Sequence, residues 1–340
     1  MTEKIGGKCK SAAQTLLFTG GCALAGGVIG AAEYFYRYAL TPKKHDPRPD
    51  RDPLEKEYAA GRSWLNGHPH REDVYIHGDD GLQLHGNFIP AQGGTADGAA
   101  KAAGRAPEER REEHRYAICV HGYADAAESM GLYARVYHDR YGMHVLVPDL
   151  RGHGRSDGDY VGMGYDDSFD LLRWIDWVLE KDPAARIVLH GISMGAAAVL
   201  LTTGHSLPSQ VKAAVADTAY TSAFEELTLV YKQIKGAVIP APVMLESVRL
   251  ITLLRAGYDL KKASPLQAVG HSGTPTLFIH GQADDVIPSR MMPALYRAAS
   301  CPKSFQWIPE AGHAKSVVRD PETYWTRVER FLHADDVGLY

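Results

Sequence analysis

Five short apolar runs constrain this chain more than any other feature. They are "YAICVHG" at 116–122, "HVLVPDL" at 144–150, "RIVLHG" at 186–191, "VKAAVADT" at 211–218 and "TPTLFIHG" at 274–281. Each is continuous rather than alternating, and each ends in turn residues. A strand with one wet face alternates apolar and polar side chains, so continuous runs suit strands covered on both faces. Helical patterns lie between them at about 125–141, 165–181 and 194–205. In "SFDLLRWIDWVLE" apolar residues recur three and four apart, as a helix laid on a sheet requires. Strands alternating with helices predict an α/β domain with a mostly parallel sheet. Upstream, "DVYIH", the turn "GDDG" and "LQLHGNFIP" predict a hairpin that adds antiparallel strands at one edge.

Three stretches depart from this rhythm. Residues 218–265 are helical and apolar, broken by Pro240 and Pro242, and predict a helical cap over the strand ends, where open α/β sheets bind ligands. The alternative is one long kinked crossover helix. Residues 91–114 are small, polar and charged without an apolar period, and predict an exposed, disordered insertion. Residues 41–71, rich in Pro and charge, read as a linker that becomes a short amphipathic helix around Leu54–Leu65.

The N-terminus is the one non-globular feature. A basic segment, 1–14, precedes the uncharged "TLLFTGGCALAGGVIGAA" and then "EYFYRYAL", whose aromatics and Arg37 suit a membrane–water interface. An anchor helix over 15–40 is the expectation, with a cleaved signal sequence or a buried Gly-rich helix as alternatives. Lys and Arg occur on both flanks and give no orientation. The net charge of −4 offers no basic footprint for nucleic acid. Cys9, Cys22, Cys119 and Cys301 lack metal-site spacing, and Cys119 and Cys301, beside apolar runs, read as buried free thiols.

"RIVLHGISMGAAAVLL" places Ser193 at a strand-to-helix turn between Gly191 and Gly195. Such a turn projects a hydroxyl above the sheet edge, and glycines on both sides let strand and helix approach. Serine is a poor nucleophile without a base, and the base needs an orienting acid. Downstream, "TPTLFIHGQADDVIP" presents Asp284 and Asp285, and "FQWIPEAGHAKS" presents His313. Adjacent residues of an extended loop point apart, so one aspartate faces the histidine. Asp284, four residues after His280 and four before Pro288, is the choice. The backbone N–H of Met194, after the nucleophile, and that of Tyr123 in "VHGYADAAES" would bind the oxyanion. His121, His153, His190 and His280 read as strand-end or turn residues, with no metal-ligand spacing.

Together, "HGY" (121–123), "DLRGHGRSDG" (149–158), "GISMGA" (191–196), "HGQADDVIP" (280–288) and "GH" (312–313) resemble the α/β-hydrolase superfamily over about residues 72–335. The apolar helix with "YFYRYAL", the cap opening "DTAYTS" and "GYDLKKASPL" resemble a narrower bacterial group of membrane-anchored esterase-like and serine-aminopeptidase-like hydrolases. The resemblance implies an α/β-hydrolase fold and a triad of Ser193, Asp284 and His313, with Tyr123 and Met194 as oxyanion donors. It implies no metal or cofactor. Arg151 and His153 read as structural. A serine at the elbow disfavours relatives that carry aspartate there.

The expected activity is hydrolysis of a carboxylic ester, of the carboxylesterase or acylglycerol-lipase type, on a small-molecule ester or acyl substrate. The cap's apolar residues (Leu227, Leu229, Val230, Ile234, Val238, Ile239, Met244 and Leu245) either line an acyl pocket or form the cap's own core. An aminopeptidase or amidase would use the same triad and need an acidic site, for which Asp285, Glu225, Glu226 and Glu246 are candidates. A non-catalytic binding protein on this fold is the remaining alternative.

Overall fold

The structure is a computed structural model that describes residues 26–42, 53–91 and 114–340. One eight-stranded sheet runs in the order β1-β2-β4-β3-β5-β6-β7-β8. Its strands are β1 (Glu72–His77), β2 (Gln83–Ile89), β3 (Arg115–Val120), β4 (His144–Pro148), β5 (Arg186–Ile192), β6 (Val211–Asp217), β7 (Thr276–Gly281) and β8 (Lys303–Ile308). β1 and β2 form the antiparallel hairpin and β2 pairs antiparallel with β4, whereas every pairing from β4 through β8 is parallel. The five continuous apolar runs are the inner strands β3 to β7. β3, β4 and β7 are buried along their whole length, whereas the edge strands β1 and β8 are partly exposed.

Alternate side chains of β3 enter opposite cores: Tyr116, Ile118 and Val120 on one face, Ala117 and Cys119 on the other. On the first face lie α4 (Tyr165–Lys181) and α5 (Met194–Thr203). α4 buries Leu171, Trp174, Ile175 and Val178, a three-to-four spacing in which each aliphatic contributes roughly 1.5–3 kcal/mol. α5 is buried throughout, and Ala196, Ala197 and Ala198 keep it close to the strands. On the opposite face the helix Pro321–Leu332 brings Tyr324, Val328 and Phe331 against Tyr133 and Tyr137. Cys119 and Cys301 are free and buried.

The stretch 125–141, expected as one helix, is three short pieces: a 3-10 turn, the helix α3 (Gly131–Arg135) and a π turn. Over 218–265 two helices form, α6 (Ala223–Lys232) and α7 (Ala241–Arg255). Pro240 caps α7 and Pro242 lies in its first turn, where a missing N–H costs nothing. The prolines begin a helix rather than kink one.

A helix, α1, covers 26–40, and one face of its second half lies against the domain. Ala32, Phe35, Tyr36, Ala39 and Leu40 are buried, with the Phe35 ring edge-on to Tyr231 at 5.5 Å and Glu33 paired with Arg255 at 2.8 Å. Among the described residues no helix is long and apolar enough to cross a membrane, and the expected anchor's residues 15–25 lie outside them. The expected insertion also lies outside them, except its ends at 91 and 114. The short helix expected around Leu54–Leu65 is α2 (Pro53–Gly67), and it packs on the domain. It crosses the start of α3 glycine on glycine: a Cβ on Gly61 would come within 2.3 Å of the Leu132 nitrogen, and one on Gly131 within 2.1 Å of the Gly61 oxygen.

Candidate active site

Ser193 is the single residue between β5 and α5, at φ +55° and ψ −120°. A non-glycine residue held there stores about 1–3 kcal/mol of strain. The flanking glycines make the turn possible, since a Cβ on Gly191 would lie 2.2 Å from the Gly195 oxygen and one on Gly195 2.3 Å from the Val120 oxygen. Ala124, Thr218, Glu310 and Ala314 also have positive φ, and all four lie in the loops around Ser193.

Ser193 Oγ is 3.0 Å from His313 Nε2, and His313 Nδ1 is 3.0 Å from Asp284 Oδ2. A carboxylate only accepts, so Nδ1 carries the proton and Nε2 is left to accept from the serine hydroxyl. The Asp284 side chain is wholly buried, and its Oδ1 accepts the N–H groups of Val286 at 2.9 Å and Ile287 at 2.8 Å. These two bonds fix the carboxylate and aim its other oxygen at the imidazole. Asp285 lines the cavity over Ser193 instead. Burial pushes the pKa of nearby His280 down, and its Nε2–H donates to the Ile287 carbonyl at 3.0 Å, so it sits beside Asp284 as a neutral ring.

Gly122 brings the loop after β3 against Ser193: a Cβ there would lie 3.4 Å from the serine Cβ. Tyr123 follows in this loop, and Met194 opens α5, whose N-terminal amides and dipole favour a negative charge. The loop is held from below. The Ala124 N–H donates to His153 Nε2 at 3.3 Å, and His153 Nδ1–H donates to the Arg151 carbonyl at 2.9 Å. Burial lowers the His153 pKa to about 4, which keeps Nε2 available as an acceptor. Arg151 makes two 2.7 Å bonds to Asp170 and one of 2.9 Å to Asp80. Neither Arg151 nor His153 lines the cavity. His190 is enclosed between the Tyr137 and Tyr324 hydroxyls at 2.9 Å each, and burial lowers its pKa to about 3.

A cavity of about 560 Å³ opens over Ser193 and His313. The expected apolar cap residues do not line it. Leu227, Met244 and Leu245 are packed in the core, Leu229, Val230 and Ile239 rest against that core, and Ile234 and Val238 face solvent. The cap's apolar residues serve mainly its own packing. Of the acidic candidates Asp285 faces the cavity, whereas Glu246 is paired with Lys261 and Arg249. Glu226 is buried, with His313 and Asp284 as electrostatic neighbours. One cavity wall went unnoticed in the sequence: Glu55, Tyr58 and Arg62 of α2. The available hint was Gly61, a lone glycine inside an amphipathic pattern, which marks a close approach.

A family model described as the alpha/beta hydrolase fold matches residues 118–238, from β3 through the elbow into the cap. Esterase Pf2001 of Pyrococcus furiosus superposes with a TM-score of 0.58 at 20% identity, covering 86% of this chain and 97% of that one. This chain has the α/β-hydrolase fold. The hydrolase GrgF of Penicillium sp. sh18 superposes with a TM-score of 0.55 at 19% identity, over 77% of this chain and 97% of its own. Among sequence relatives, the uncharacterized protein YqkD of Bacillus subtilis is 30% identical over 192 residues, 56% of this chain and 62% of its own length. The uncharacterized protein YfhR of Escherichia coli K12 is 27% identical over 245 residues, 71% of this chain and 73% of its own.

Proposed function

We propose that this α/β hydrolase cleaves a carboxylic ester by nucleophilic catalysis, with Ser193 as nucleophile, His313 as general base and Asp284 as its orienting acid. Ser193 Oγ attacks the acyl carbonyl while its proton passes to His313 Nε2. The tetrahedral oxyanion takes hydrogen bonds from the Tyr123 and Met194 amides. His313 then gives the proton to the leaving alcohol, and water repeats the sequence to release the acid. The observation that carries this reading is the hydrogen-bond chain Ser193–His313–Asp284, 3.0 Å at each link, opening on a cavity. The esterase title of the Pyrococcus neighbour points the same way.

A second reading, cleavage of an aminoacyl bond by the same residues, draws on the cavity lining, where Glu55, Asp125, Asp285 and Glu310 outnumber Arg62 and Lys315. Fluorophosphonate labelling of wild type, Ser193→Ala and His313→Ala, with turnover of p-nitrophenyl esters and aminoacyl nitroanilides, tests both. We expect labelling of wild type alone and turnover of esters. Nitroanilide turnover without ester turnover moves the assignment to the second reading. A folded wild type that does not label removes both.

A further inference from the structure

We propose that the N-terminal helices α1 and α2 are part of the catalytic apparatus, in which Tyr58 is a positioning residue for the His313 loop and the Tyr123 side chain ties the oxyanion loop to α1. The proposal rests on the hydrolase reading above.

Each helix touches one of the two loops that must meet at Ser193. The Tyr58 hydroxyl, on α2, donates to the Ala314 carbonyl at 2.5 Å. Ala314 directly follows His313 and sits at φ +52°. The Tyr123 hydroxyl donates to the Ala39 carbonyl at the end of α1 at 2.9 Å. Tyr123 directly precedes Ala124, at φ +53°. Both tyrosines thus anchor backbone beside a strained residue, and strained backbone persists only where surrounding contacts over-determine it.

The helices are themselves fixed. The Leu40 carbonyl accepts the Val161 N–H at 2.8 Å, and the glycine crossing of Gly61 on Gly131 locks α2 to the helix that follows the oxyanion loop. Tyr58 lies three residues before Gly61, on the same side of α2, which brings its ring to the cavity. Burial pushes the Tyr58 hydroxyl pKa up, so it stays a donor. Neither hydroxyl takes part in the chemistry, since each is committed to a main-chain oxygen. Their effect is on the spacing of imidazole, serine and oxyanion donors, where small displacements are costly to rate.

The test uses the full chain with Tyr58→Phe and Tyr123→Phe, which keep the rings and remove only the hydroxyls. Active sites are counted with a fluorophosphonate probe, and p-nitrophenyl butyrate turnover is expressed per counted site. We expect kcat per site to fall roughly 10- to 100-fold in each variant, with KM within two-fold of wild type. The rate constant of probe labelling should fall alongside, because phosphonylation uses the same oxyanion donors. Unchanged kcat per site in both variants overturns the proposal. So does a loss confined to the number of labelled sites, which marks a purely structural role. Wild-type protein that neither labels nor turns over esters removes the hydrolase reading and the proposal with it.

Discussion

The Ser193 amide donates to the Asp217 carbonyl at 2.9 Å, so the last residue of β6 holds the backbone of the residue that follows β5. The Asp217 carboxyl faces the other way, accepting the Thr218 hydroxyl at 2.9 Å and the Ser316 hydroxyl at 3.2 Å. Ser316 lies three residues past His313. One buried aspartate therefore joins the elbow to the loop that brings the imidazole, and burial raises its pKa to about 6. Parallel pairing of β5 with β6 is what sets this spacing.

Asp284 gives the sharpest test of the proposed chemistry. Asn at this position can keep an oxygen toward the Val286 and Ile287 amides while turning an NH₂ donor toward His313, which favours the wrong tautomer. Asp284→Asn should lower kcat by roughly 10³–10⁴-fold with little change in melting temperature. Stopped-flow or endpoint ester assays beside a thermal melt read both quantities.

Gly195→Ala probes the elbow. Its Cβ would lie 2.3 Å from the Val120 oxygen and 2.4 Å from the His121 oxygen, main-chain atoms at the end of β3. Backbone of a central strand cannot swing aside as a side chain can. We expect a loss of about 1–3 kcal/mol in urea unfolding, together with loss of fluorophosphonate labelling.

Glu226 predicts a pH dependence of stability. Burial raises its pKa from 4.5 to about 7, against the favourable charge of His313, with Asp284 and Glu225 adding to the rise and Arg290 opposing it. Its Oε2 is buried without a hydrogen-bond partner. Between those two pH values the folded protein keeps a proton that the unfolded chain releases, so stability falls as pH rises through that window. Glu226→Gln removes this loss. The variant should match wild type near pH 4 and exceed it by about 1–3 kcal/mol at pH 8, as read by denaturant unfolding at both pH values.

Phe35→Ala tests whether α1 belongs to the folded domain. Phe35 is 2% exposed and packs edge-on against Tyr231 of α6. Truncation should cost about 3 kcal/mol, the low end of the range for a buried phenylalanine, because α1 covers the core as a single layer. A melt unchanged within a degree would mean that α1 lies free of the domain in solution.

The part of the candidate site that was most legible, the elbow, is local in sequence. Ser193 and its glycines occupy five consecutive residues, and the need for close approach by β5 and α5 is written into them. His313 and Asp284 each follow a strand, so order along the chain predicted which loops would meet, and the structure brings their side chains together. The cap was harder. Its apolar residues predicted burial without saying whether against substrate or against the cap, since a helix face that covers a core and one that lines a pocket have the same period.

By itself the sequence determined the sheet and the elbow. Runs without polar alternation demand cover on both faces, and a serine between two glycines at a strand end can make this turn. Only the tertiary structure decided what surrounds the elbow. Tyr58 and Ala314 lie 256 residues apart, and Tyr123 and Ala39 lie 84 apart. No periodicity links such residues, and in "EKEYAAGRSW" the lone Gly61 hints at a close approach without saying that this helix walls the candidate site. Gly61 meeting Gly131 and the strand order decide it, because they fix which distant backbones come within hydrogen-bond reach.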